Sequence, residues 1–76
     1  MRKTKKEIIE IDTEYIKLDS FLKFINVVES GGIAKMVILE GEVAVNGEIC
    51  TQRGKKLRDG DCVSLGGMEF EVRNVS

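Results

Sequence analysis

The chain predicts an α+β domain in which two short helices pack on a small antiparallel sheet. Three observations carry that expectation. Apolar residues recur at three- and four-residue steps from Leu18 towards Val28 and again from Ile33 to Ile38. After Gly41 they alternate singly. Glycine turns at Asn46-Gly47, Asp59-Gly60 and Gly66-Gly67 then cut the second half into short pieces.

The segment from Lys5 to Ile11, KKEIIEI, is rich in isoleucine and partly alternating, which predicts an early strand. Met1 to Thr4 is expected to be a loose tail. Leu18, Phe21, Leu22, Ile25 and Val28 line one face of a first helix. Asp12, Thr13, Glu14 and Asp19 precede or open it as acidic or capping residues, and the pattern does not say which is the cap. Glu29-Ser30-Gly31-Gly32 breaks that helix, because adjacent glycines are costly inside one. Ser30 can cap a second helix whose apolar face is Ile33, Val37 and Ile38, with Ala34 as the small residue, ending at Gly41.

Val43 and Val45 begin the strands, and Asn46-Gly47 supplies a hairpin turn with a return from Glu48 to Thr51. A two-residue loop sets Val45 opposite Glu48 and a three-residue loop sets it opposite Ile49, so the register stays open. Gln52 to Arg58 reads as a polar connection with Leu57 as its apolar anchor. Cys62 to Leu65 and a last strand follow, with Met68, Phe70 and Val72 inward and Glu69, Glu71 and Arg73 outward. Phe21 and Phe70 are expected in the core, while Tyr15 and Phe24 can be partly exposed.

With 76 residues there is room for one domain, 1–76, and for one modest core; a chain of this size buries only about 60% of the surface it exposes when unfolded. Twelve lysines and arginines stand against 13 acids, so no global field steers the protein to a polyanion. Histidine, tryptophan and proline are absent, which removes the commonest general base and the commonest nitrogen metal ligand. Ser20, Ser30, Cys50 and Cys62 have no such base and sit in no nucleophile motif, so no catalytic residue, metal, cofactor or small-molecule substrate is expected. Cys50 and Cys62 read as packed or idle thiols. Neither a targeting signal nor an apolar run long enough to span a membrane is evident, and a cytoplasmic monomer is expected.

One strong local field remains. Arg53, Lys55, Lys56 and Arg58 place four cations within six positions around Gly54, and no acid occurs from Ile49 to Arg58. Each phosphate that a cation neutralises releases condensed counterions, so such a cluster lets a neutral protein bind RNA; the plainer alternative is a solvated loop. Gly31-Gly32 at a helix start, with Lys35 a turn on, could hold a phosphate or could be a simple turn. The stretch lacks the ending and spacing of a P-loop.

Taken as a unit, Lys17 to Val63, 47 of the 76 residues, resembles the S4-like RNA-binding domain, with its αL-type motif, in its small stand-alone bacterial form. The residues concerned are Lys17-Leu18-Asp19-Ser20-Phe21-Leu22, the Ser30-led second helix, Gly41-Glu42-Val43-Ala44-Val45-Asn46-Gly47, and Arg53-Gly54-Lys55-Lys56-Leu57-Arg58-Asp59-Gly60-Asp61. Glu29-Ser30-Gly31-Gly32 with Ala34-Lys35 is similar to the stand-alone subgroup. The resemblance implies a helix pair on a small sheet that binds structured RNA, often ribosomal, and a role in ribosome assembly, maturation or quality control. Carried over, the RNA-facing residues are Lys17, Lys35, Arg53, Lys55, Lys56 and Arg58. Gly31 stands where many members carry arginine, and Gln52 where the subgroup often has a basic residue. The competing reading is an adaptor that docks on a ribosomal or other protein, for which binding would not fall linearly with log salt.

Overall fold

The computed structural model describes residues 6–76. Lys5 and the Met1 to Thr4 tail lie outside the described residues. Chain order is β1 (Lys6–Ile11), β2 (Ile16–Lys17), α1 (Leu18–Phe24), α2 (Gly31–Leu39), β3 (Val43–Val45), β4 (Glu48–Ile49), β5 (Lys56–Leu57), β6 (Cys62–Leu65) and β7 (Met68–Asn74). The helices pack on a five-stranded sheet of order β1-β7-β6-β3-β4, and β2 and β5 form a separate two-stranded ribbon.

The α+β class and the helix pair are as expected, with one difference in the sheet. β1 runs parallel to β7, Lys6 opposite Glu69 through Ile11 opposite Asn74, so the sheet is mixed. Parallel neighbours need a long crossover, and here nearly the whole domain lies between the two strands. The other pairings in this sheet are antiparallel, and two-residue connections require this of β3–β4 and β6–β7.

Both helices end in the same way. α1 stops at Phe24, short of the face expected to reach Val28, because Asn26 turns left-handed at φ 63°. The Asn26 N–H then donates to the Lys23 carbonyl and the Val27 N–H to that of Leu22, a Schellman arrangement. Val28 is still buried, from the connecting loop. At the end of α2, Gly41 at φ 77° repeats the arrangement, donating to Ile38 while Glu42 donates to Val37. Ser30 caps α2, its hydroxyl accepting from the Ile33 N–H at 3.3 Å.

The hairpin register is settled by its turn. Asn46 (φ 53°) and Gly47 (φ 86°) form a two-residue loop that sets Val45 opposite Glu48. Asn46 also joins that turn to β6: its backbone N–H donates to the Cys62 carbonyl, its side-chain oxygen accepts from the Cys62 N–H, and its amide nitrogen donates to Asp61.

The core gathers Leu18, Phe21 and Leu22 from α1, Ala34 and Ile38 from α2, and Val43, Val45, Val63, Phe70 and Val72 from the sheet, with Ile11, Val28 and Leu57. Phe21 meets Phe70 edge-on, ring centroids 6.4 Å apart at 77°. Two expected core residues lie outside it. Ile33 is 40% exposed, because the buried stripe of α2 narrows to Ala34 and Ile38, four residues apart on one side, and Ile33 falls on its rim. Met68 is 45% exposed beside the Gly66-Gly67 turn. Among the described residues no helix is long and apolar enough to cross a membrane.

Candidate nucleic-acid interface

The start of α1 lacks the cap that its sequence suggests. The N-cap position is Lys17, which makes no side-chain cap bond, and neither Asp12, Thr13 nor Glu14 takes that role. The free N–H groups are met from across the fold instead: Leu18 donates to the Lys55 carbonyl at 2.8 Å and Asp19 to the Arg53 carbonyl at 3.1 Å. The Asp19 carboxylate accepts from the Ser20 N–H at 2.7 Å. Buried backbone donors need partners, so the 53–55 segment completes this helix and is held against it by these main-chain bonds.

Two further features fix the loop. The ribbon pairs Ile16 with Leu57 and Lys17 with Lys56. Leu57 is fully buried, anchoring the connection in the core as expected. Within the loop, the Lys55 N–H donates to the Gln52 carbonyl, closing a turn around Arg53-Gly54. Downstream, the Asp61 carboxylate accepts from the Arg58 N–H at 2.8 Å and from the Asn46 amide, while Asp59 accepts from the Asn74 N–H at 2.8 Å. The nearest carboxylates downstream are thus taken up elsewhere: Asp61 closes the turn on the Arg58 N–H, as the turn chemistry of Asp59-Gly60-Asp61 suggests, while Asp59 reaches across to β7, and neither pairs with a lysine among the described residues.

The result is a rim in which Lys17, Arg53, Lys55 and Lys56 converge on the start of α1 with their side chains exposed. Arg58 stands at its edge, exposed, with one 3.9 Å ion pair to Glu14. Lys35 is exposed on α2, and none of these bonds ties it to the rim. No ion pair forms at Lys17, Lys35, Arg53, Lys55 or Lys56 among the described residues. Such a surface exposes guanidinium and ammonium hydrogen-bond donors.

Tyr15 was missed by sequence reasoning as part of this surface. Lys56 lies 4.9 Å from its ring centroid and the Arg58 guanidinium 5.5 Å. Only the β2–β5 register brings the ring there, and two-residue strands leave no readable period. In β1, Lys6 is held above the usual lysine range by the neighbouring Cys62 sulfur and the Glu71 carboxylate, which lies 3.7 Å away. It belongs to the sheet and not to the rim.

A helix pair on a mixed sheet, with a cationic loop locked to the first helix, defines a small domain built to present positive charge at one end of a rigid element. The S4 domain family model matches residues 9–73, and the chain belongs to that family. It is 49% identical over 67 residues to the probable ribosome maturation protein RlbA of Bacillus subtilis (strain 168), covering 87% of this chain and 94% of that protein. The solution structure of YbcJ from E. coli, described as revealing an αL motif involved in RNA-binding, superposes with a TM-score of 0.64 at 30% identity. That match spans 96% of this chain and 91% of the other.

Proposed function

We propose that this protein is a non-enzymatic RNA-binding module that recognises structured RNA, ribosomal RNA in particular, during assembly, maturation or quality control of the ribosome, acting in the cytoplasm as a monomer. The observation that carries the reading is the docking of Arg53 and Lys55, through their carbonyls, on the N–H groups of Asp19 and Leu18. It brings cations separated in sequence to the start of one helix, and of these only Arg58 has an ion pair among the described residues. Membership of the S4 family and the resemblance to a probable ribosome maturation protein direct that cluster to RNA and to the ribosome. An RNA duplex presents phosphates and 2′-hydroxyls across a shallow minor groove, so a rigid positive edge binds it by backbone and shape with little reading of bases. Lys17, Arg53, Lys55, Lys56 and Arg58 make the phosphate contacts, and Lys35 extends them along α2.

The test is crosslinking and RNA sequencing from cells, comparing the native protein with a Lys55→Ala, Lys56→Ala variant. Ribosomal RNA recovered with the native protein and depleted with the variant is the expected result. Equal recovery of the same RNA by both overturns the site.

A further inference from the structure

Tyr15 sits half-buried at the edge of the rim, with a backbone fixed on both sides. The Thr13 hydroxyl donates to its carbonyl at 2.9 Å. The next two residues pair with β5, Ile16 with Leu57 and Lys17 with Lys56, so one step further along the same register Tyr15 falls opposite Arg58. On the facing segment Leu57 is buried between exposed Lys56 and Arg58. Alternation along an extended backbone therefore sends both cations to one side, and the ring is there: 4.9 Å from the lysine nitrogen and 5.5 Å from the guanidinium carbon.

Two like charges on one side of a short strand repel, and both belong to long side chains with many rotamers. An aromatic ring within this range attracts each cation through its quadrupole and confines it. Unlike a carboxylate, it adds no negative charge, so it organises the pair without neutralising it. Glu14 provides the contrast in the same place, since its pairing with Arg58 must be exchanged before a phosphate can take that guanidinium.

Building on the RNA-binding reading above, we propose that Tyr15 is the positioning residue of the rim. Its ring pre-organises Lys56 and Arg58 as one phosphate-binding pair, lowering the ordering cost that each would otherwise meet on binding RNA. Tyr15 acts through these two cations, and its hydroxyl is dispensable.

The test measures binding of a fixed RNA stem-loop across a salt series for the native protein, Tyr15→Phe and Tyr15→Leu. The same measurement is made for Lys56→Gln, Arg58→Gln with and without Tyr15→Leu. Tyr15→Phe is expected to match the native protein, and Tyr15→Leu to lose roughly fivefold in affinity with a shallower salt slope. In the background lacking both cations, Tyr15→Leu is expected to change nothing, whereas a residue that merely supports the fold would weaken binding there too. Ring-current shifts of the Lys56 side-chain protons in the free native protein give a second reading that needs no variant. Unshifted Lys56 resonances, or equal losses from Tyr15→Leu in both backgrounds, would overturn the positioning role while leaving RNA binding intact. Salt-independent or absent binding by the native protein would overturn the RNA reading, and this inference with it.

Discussion

Replacing Lys55 and Lys56 together by alanine tests the rim quantitatively, because the structure separates their charge from their structural role. What holds the 53–58 segment in place is the carbonyls of Arg53 and Lys55, the buried Leu57 side chain and the β2–β5 pairing, none of which uses a lysine head group. The variant is therefore expected to unfold within about 0.5 kcal/mol of the native protein, as surface substitutions usually do. Binding changes much more. Lys17, Arg53, Lys55, Lys56 and Arg58 are all exposed. If each meets one phosphate, the slope of log affinity against log salt is about −4.5, and it falls to about −2.7 without the two lysines. Between about 50 and 200 mM salt the native protein then loses about 500-fold in affinity and the variant only about 40-fold. Fluorescence anisotropy on a labelled ribosomal RNA fragment over a salt series reads this directly. Parallel lines for the two proteins, with native stability in both, would refute the assignment of these lysines to phosphates.

Three further expectations concern how the rim is built. Leu57→Ala removes a fully buried side chain from the base of the loop and is expected to cost about 2–5 kcal/mol in a urea unfolding curve, with RNA affinity falling as the loop loosens. Asp61→Ala leaves the Arg58 N–H and the Asn46 amide to water; a loss of roughly 0.5–1.5 kcal/mol by thermal unfolding, with amide exchange quickening at Arg58, is the expected outcome. Gly31→Arg adds a cation at the start of α2, where the family resemblance leads one to expect it. A Cβ at Gly31 would meet nothing within 4 Å, and the residue is not at positive φ, so the fold should accept it. RNA affinity is expected to rise and the salt slope to steepen by about 0.9, measured by the same anisotropy series.

The legible parts of this fold were those written in short-range chemistry. Ser30 before two glycines, Gly41 after an apolar face and Asn46-Gly47 between alternating residues each specify a local geometry, and each forms where its residues stand. Leu57 as the lone apolar residue in a basic segment marked an anchor. Features set by distant partners could not be read. The parallel seating of β1 beside β7 depends on how the two ends of the domain meet, and the early end of α1 on Asn26 adopting a conformation that asparagine visits only when context favours it. The cap of α1 was illegible for the same reason: four plausible side chains precede or open the helix, yet its donors are met by carbonyls more than 30 residues downstream. The candidate site divides likewise. Its basic segment stood out as charge density, while its closure around Lys17 and Tyr15 depends on the two-residue ribbon, and Lys35 rests on its place one turn into α2 and on family resemblance.

The cap also says something about why the charge is where it is. Lys17 occupies a position that ordinarily takes serine, threonine, aspartate or asparagine, and the carbonyls completing the helix come from Arg53 and Lys55. Cations at a helix start cost about 0.3–1 kcal/mol each where anions would stabilise, and clustered like charges add their own repulsion. In a chain with 13 acids available, the segment from Ile49 to Arg58 contains none, and Asp59 and Asp61 are committed to backbone donors. The free protein thus holds positive charge together at some cost to its own stability. A polyanion bound at the proposed surface would relieve that cost, and relieve more of it the closer its charges were spaced. Folding the cap and building the patch are one event here, so any change that undocks the loop from α1 is expected to remove the proposed binding surface and destabilise the helix together.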